Sequence, residues 1–526
     1  MKWHPSLALA AFLALAPGLR AADKDVETLA AKIDERIAAA WGKDVKPAPV
    51  ADDAEFFRRV HLDLAGRIPS VTEIRDFLED DRPDKRRLWV DRILAADPDD
   101  SSYRDAYVSH FANVWRAWLL APPNQQALFQ QPALEQWLRQ ALKANVGYDQ
   151  LVRDLLTHQP GPANLGIGGG DPSPSAFYLA NESRPENLAG STARLFLGVK
   201  LECAQCHDHP FAPWTRDQFW QYAAFFTDVP QQARPGQQLA AYRARRGEIK
   251  VAGTDKVVQA RFLDGTEPQW TDGRTRPTLV EWMTAADNPF FARAAVNRLW
   301  AYFFGAGLVE QPDGPGDDNP AHYAGLLDEL AREFVAHKYD VKFLVRAITA
   351  SQTYQRASAV SHPSQQNLRL FARMPLRGLG PEQLFDSLAV ATEFQDTSPA
   401  DPRAILFGVA QSPRDQFLAK FAAQDQKTDY QTSILQALYL MNNDFIADRT
   451  SVQKNRTLAT LGDQRTGTAR KVESLYLVVL SRKPRPDESE RFVKYVDAGG
   501  AAGDPKKALA DVFWVLLNSP EFLLNH

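Results

Sequence analysis

From Asp53 onward, apolar side chains recur at three- and four-residue spacing along most of the chain, a period that dictates helices and excludes an extended sheet. Phe56, Phe57 and Val60 begin the pattern, and Gly66 and Pro69 stop its first segment. Ser70-Val71-Thr72-Glu73 then reads as a capping box opening a helix with Val71, Ile74, Phe77 and Leu78 on one face. Asp84 is placed to cap the next helix, with Leu88, Trp89, Ile93 and Leu94 inward. Tyr103, Tyr107, Phe111, Val114, Trp115, Trp118 and Leu119 make a long aromatic stripe, read as core rather than as a cofactor wall. Pro122-Pro123 ends it. Helices are expected over 134–142, 148–156 and 185–199, from Asn288-Pro289 to Phe303, and near 322–336, 340–349, 381–393, 430–447, 470–480, 487–497 and 505–517. The one β signal is a hairpin, with Ile249/Val251 and Val258/Ala260/Phe262 alternating around Gly253-Thr254-Asp255.

The fold class is therefore mainly α. At 526 residues the chain is too long for one compact core. The expected organisation is two helical domains joined by a short linker with a β-hairpin: a signal peptide over 1–22, an N-terminal helical domain over 23–228, the linker over 229–275 and a C-terminal helical domain over 276–526. The signal rests on Lys2, the apolar run from Leu7 to Ala16, the break at Pro17-Gly18 and the small residues Ala21-Ala22. That run is too short to span a membrane, so an exported protein, periplasmic or extracellular and not membrane-spanning after cleavage, is expected. A net charge of −4 lacks the basic excess of a nucleic-acid binder, and the run Arg243, Arg245, Arg246 reads as solvated surface. The Gly/Pro-rich loop over 158–175 has neither a preceding strand nor a following Gly-Lys-Ser/Thr, and reads as a connector or lid rather than a phosphate cradle. The acidic loop with Asp313, Asp317, Asp318 and Asn319 lacks the ligand spacing of an EF-hand.

The chain has two cysteines, and both lie in Cys203-Ala204-Gln205-Cys206-His207-Asp208-His209-Pro210-Phe211. C-x-x-C-H is the attachment pattern of c-type haem, in which Cys203 and Cys206 anchor the porphyrin and His207 supplies an axial iron ligand. A helix leads into this loop, and Trp214, Phe219, Trp220, Tyr222, Phe225 and Phe226 follow it, an arrangement suited to a flat apolar macrocycle. Met283, Met374, Met441, His61, His110 and His158 are the candidates for the opposite axial position. Two other readings stay open. Cys203, Cys206, His207 and His209 are a thiolate and imidazole set suited to zinc or iron, or the cysteines form a disulfide across the loop. Asp208 is placed to orient either histidine. No nucleophile elbow, zincin motif or pair of catalytic carboxylates is assignable.

Several longer phrases carry a resemblance: Phe57-Arg58-Arg59-Val60-His61-Leu62-Asp63-Leu64-Ala65-Gly66-Arg67-Ile68-Pro69-Ser70, the cysteine loop with His209-Pro210-Phe211 and Trp214, Asn288-Pro289-Phe290-Phe291-Ala292-Arg293-Ala294-Ala295-Val296-Asn297-Arg298-Leu299-Trp300, Gly307-Leu308-Val309-Glu310 and Ser351-Gln352-Thr353-Tyr354-Gln355. Together they resemble the planctomycete cytochrome-associated paired domains of unknown function, an N-terminal cytochrome-like partner followed by a C-terminal one. With a single C-x-x-C-H, the resemblance implies one haem c. The expected function is that of an exported c-type-cytochrome-like protein in redox or electron transfer with a redox partner protein, the C-terminal half serving for docking or substrate binding. The contrasting expectation is a mononuclear zinc or iron enzyme, or a binding scaffold, acting on extracellular polymers.

Overall fold

The structure, a computed structural model, describes residues 17–95, 99–100, 103, 105–120, 125–160, 171–230, 247–270, 274–309, 323–394, 412–422, 449–452, 454–463 and 465–526. Helices account for nearly all of its regular structure. In the first half these are α1 (Pro17–Ala39), α2 (Asp53–Ala65), α3 (Val71–Leu78), α4 (Lys85–Ala95), α5 (Ala106–Leu119), α6 (Gln125–Lys143), α7 (Tyr148–Thr157), α8 (Ser175–Ala180), α9 (Pro185–Thr192) and α10 (Arg216–Ala223). Pro17 and Gly18, read from sequence as a break, are the first residues of α1. The hairpin follows as β1 (Glu248–Lys250) and β2 (Val257–Gln259), antiparallel with Ile249 opposite Val258. Then come α11 (Thr275–Met283), α12 (Phe291–Phe304), α13 (Ala324–Ala336), α14 (Val341–Ala350), α15 (Gln352–Gln355) and α16 (Pro381–Ala391), and further helices over Pro413–Ala422, Arg456–Asp463, Thr468–Leu480, Pro486–Asp497, Pro505–Leu517 and Pro520–Leu523.

Local chemistry sets these boundaries. The capping box is formed: Glu73 N donates to Ser70 Oγ and Ser70 N to the Glu73 carboxylate. Asp52 caps α2 by accepting from Glu55 N. Gly66 ends α2 at φ 69°, and a Cβ there would sit 2.3 Å from His110 Nδ1, so glycine is required on both counts. The 185–199 helix is interrupted. After α9 the backbone widens into a π-turn, Ala193–Leu197, closed by Gly198 at φ 70°.

The helices bury two apolar cores. The larger runs from Val26 through the aromatic stripe of α5 to Phe371 and Met374, so helices of both halves of the sequence share it. Ile249, Val251, Val258 and Phe262 of the hairpin segment lie in this same core, which makes the segment between the halves a packed part of the body. The stripe is core as expected: Tyr107, Phe111, Trp115 and Leu119 are buried. Each such side chain contributes about 1.5–3 kcal/mol. The smaller core gathers α16 and the last helices around Leu475, Phe513 and Phe522, with Leu62 and Ile68 reaching in from the N-terminal half. Beyond the hairpin there is a second two-stranded pairing, Arg377–Gly378 with Leu524–Asn525, which the sequence did not suggest. Among the described residues no helix is long and apolar enough to cross a membrane. The expected helix at 430–447, Met441, the basic run and the acidic loop lie outside the described residues.

Candidate functional site

The cysteine loop opens as a short 3-10 helix, Leu201–Gln205, whose Leu201 and Ala204 are buried in the main core while Cys203 faces outward. Cys203 lies within this turn and Cys206 directly follows its last residue. Both thiols are free and exposed. The turn is held from behind: Trp220 Nε1 of α10 donates to Gln205 O at 3.1 Å, and Asp208 Oδ1 accepts from Arg216 N at the start of the same helix at 2.8 Å. Asp208 thus anchors the loop through backbone rather than by gripping an imidazole with its carboxylate.

The two histidines have opposite environments. His207 is exposed, with Nδ1 2.7 Å from Asp208 O. A carbonyl only accepts, so Nδ1 carries the proton and the neutral ring keeps its lone pair at Nε2. His209 is buried, at 8% exposure. Its Nδ1 accepts the backbone N–H groups of Phe211 at 3.1 Å and Ala212 at 3.0 Å, while its own N donates to Trp214 O at 2.8 Å. The ring is thereby the internal scaffold of the 209–214 turn, with its proton on Nε2, and neither nitrogen offers a lone pair to a metal while those bonds hold. Among the described residues no group of three or more His, Cys, Asp or Glu side chains is placed to hold a metal ion. The turn also holds Phe211 out at 74% exposure, beside the thiols in sequence.

The candidates for the opposite axial position that lie among the described residues are engaged elsewhere. His61 lies with Nδ1 2.9 Å from Phe57 O and Nε2 2.8 Å from the Tyr103 hydroxyl. His110 Nε2 is 2.6 Å from the Tyr302 hydroxyl, which donates its proton to Asp63 O. Burial pushes both imidazoles down to about 4, so they stay neutral. His158 Nε2 is 2.8 Å from Ser175 Oγ, and burial followed by the Arg276 charge lowers it too. Met283 and Met374 are fully buried in the main core.

What sequence reasoning missed is a charged cluster inside α2. Arg58 and Arg59 are fully buried, and Asp63 nearly so. Arg58 donates to Val479 O at 3.0 Å and Phe522 O at 3.1 Å. Arg59 donates to His526 O at 3.1 Å, to Tyr354 O and to Glu55. Asp63 accepts both bonds of Arg377 at 2.9 and 3.0 Å, the Tyr354 hydroxyl at 2.7 Å and Asn525 Nδ2 at 2.8 Å. Arg67 and Glu73 form a two-pronged pair at 2.8 Å, and the Arg67 guanidinium overcomes desolvation to bring Glu73 down to about 2. The available signal was three charged residues on a helix whose apolar residues already surround them.

Comparison with known families bears on both halves. Residues 32–231 match a family described as a protein of unknown function (DUF1549, PSCyt2), and residues 275–496 match another described in the same words (DUF1553, PSD1). No curated protein and no solved structure matches the chain. The cysteine loop and the α2 cluster fall within the first match, and Arg377 and the smaller core's α16 within the second. The chain is built of two paired domains of unknown function, DUF1549 followed by DUF1553.

Proposed function

We propose that the chain is an exported c-type-cytochrome-like protein carrying one haem, attached through Cys203 and Cys206 with His207 as an axial ligand, and acting in electron transfer with a redox partner protein. The observation that carries this reading is the state of His207: exposed, Nδ1–H directed to Asp208 O, and Nε2 left with its lone pair in the same loop as two free, exposed thiols. A carbonyl acceptor on the far nitrogen fixes the tautomer and raises the basicity of a metal-ligating histidine. The bound haem would supply the one-electron couple. The chain's own residues do the rest. Asp208 holds the loop to α10, His209 stiffens the turn after it, and Phe211 adds an exposed aromatic face next to the attachment residues.

Co-expression of the full chain with haem-attachment machinery, followed by a pyridine haemochrome spectrum and an intact mass, tests this. One covalent haem per chain is expected. No covalent haem, with zinc or iron found by elemental analysis, would instead support a metal enzyme or a scaffold on extracellular polymers. A loss of two hydrogens without metal would identify a disulfide.

A further inference from the structure

The segment Asn288–Trp300 has so far only a packing role, yet one of its side chains is not explained by packing. Arg298 of α12 has no carboxylate partner among the described residues. Its guanidinium lies over the Trp118 ring, 5.6 Å from the centroid, and its Nη2 donates to Arg194 O at 3.0 Å and Leu195 O at 3.1 Å. Those carbonyls belong to the π-turn Ala193–Leu197, immediately before the cysteine turn. A π-turn at a helix end leaves carbonyls without intrahelical partners, and one guanidinium nitrogen donating to two of them fixes how the chain leaves the helix. Ala294, one turn earlier on the same helix, also packs against this segment, so that a Cβ on Gly198 would lie 3.3 Å from its own. The next link runs forward: Arg194 Nε pairs with Glu202 Oε1 at 3.2 Å, and Glu202 directly precedes Cys203. Gly190 keeps room for that glutamate, since a Cβ there would meet Glu202 Cγ at 2.8 Å.

The geometry points to Arg298 as the positioning residue of the cysteine turn: the second domain, through one guanidinium, sets how the first domain presents Cys203, Cys206 and His207. The functional part of this rests on the haem reading, while the positioning part does not. Hydrogen exchange of the haem-free full chain tests positioning by itself. In R298A the amides of residues 193–206 are expected to exchange at least about tenfold faster, with α2 and α14 as in the wild type. R298K, which keeps the charge but loses the planar fork, is expected to fall between. G198A, disturbing the same turn through Ala294, is expected to give the same local pattern should R298A not fold. Under co-expression, R298A should attach haem incompletely, with R298K partly restoring the yield. Wild-type exchange over 193–206, a uniform loss of protection across the chain, or wild-type haem yield in R298A would each overturn the proposal. So would failure of all three variants to fold, which would make Arg298 a requirement of the whole body. If the wild type attaches no haem while R298A shows the local exchange change, the haem reading fails and the positioning role stands.

Discussion

The cysteine turn and the charged cluster of α2 are both rich in polar side chains, and they handle them in opposite ways. In α2 Arg58, Arg59 and Asp63 are out of water and each makes several hydrogen bonds, with Asp63 alone accepting from Arg377, Tyr354 and Asn525. At the cysteine turn the groups with chemistry, Cys203, Cys206 and His207 Nε2, are exposed, and bonding is confined to the atoms behind them. A buried charge without its partners costs several kcal/mol, so the α2 groups are committed to one another. An exposed thiol contributes little to folding, so the cysteine turn is free to serve a ligand. The difference separates residues that hold the body from residues available for chemistry, even where both lie in equally distinctive stretches of sequence.

The sharpest test exchanges the two regions' expected phenotypes. Replacing Cys203→Ser and Cys206→Ser together should abolish covalent haem in the haemochrome assay while leaving the stability measured by urea unfolding within about 1 kcal/mol of wild type. Asp63→Ala should do the reverse, lowering stability by about 3–5 kcal/mol because Arg377 and Asn525 lose their buried acceptor. Equal stability losses from both replacements would erase the contrast.

Acid sharpens it further. His61 and His110 are held near 4, below the ordinary 6.5 of a free imidazole, so each favours the folded state above pH 6.5, and that contribution is lost as pH falls toward about 4. The shift corresponds to about 3 kcal/mol per histidine. Urea midpoints should therefore drop steeply between pH 6.5 and 4, and His61→Gln should flatten that slope. A slope unchanged in this variant would remove His61 from the account. Glu73 acts lower down: its contribution is present above pH 4.5 and lost as pH falls through about 2.

Smaller effects probe the turns. His209→Ala deletes an acceptor shared by two backbone donors and should cost about 1–2 kcal/mol, with faster exchange at Phe211 and Ala212. No change at those two amides would leave the buried ring without its scaffold role. Ser70→Ala should cost about 1 kcal/mol through the lost cap of α3, measurable as a modest shift in thermal midpoint.

Most of this architecture is legible in residues whose signal is local. The Ser70–Glu73 box, the aromatic stripe of α5 and the Ile249/Val258 hairpin depend on spacing within one segment, and they form as read. The helix Pro505–Leu517 has the boundaries its apolar period implies. Features that depend on distant partners are not legible. Arg58 looks like a surface residue until carbonyls some four hundred positions away receive it, and the strand pair Arg377–Gly378 with Leu524–Asn525 is too short to leave a pattern. The helices Pro413–Ala422 and Arg456–Asp463 are short and polar enough to pass for loop. At the site, the C-x-x-C-H spacing is plain in the sequence, but the different environments of His207 and His209 are not. It depends on which backbone groups the folded turn aims at each ring.

The wiring of α2 also constrains the order in which the chain can become native. Arg58 and Arg59 sit early in the sequence, yet they donate to carbonyls of Val479, Phe522 and His526. Until residues 479–522 have been made, α2 cannot bury Arg58 without leaving its guanidinium unpaired in an apolar core, and Arg59 has only Glu55 and Tyr354. Such long-range closure slows folding. The packing of α2 therefore waits on residues 479–526, which are made long after it.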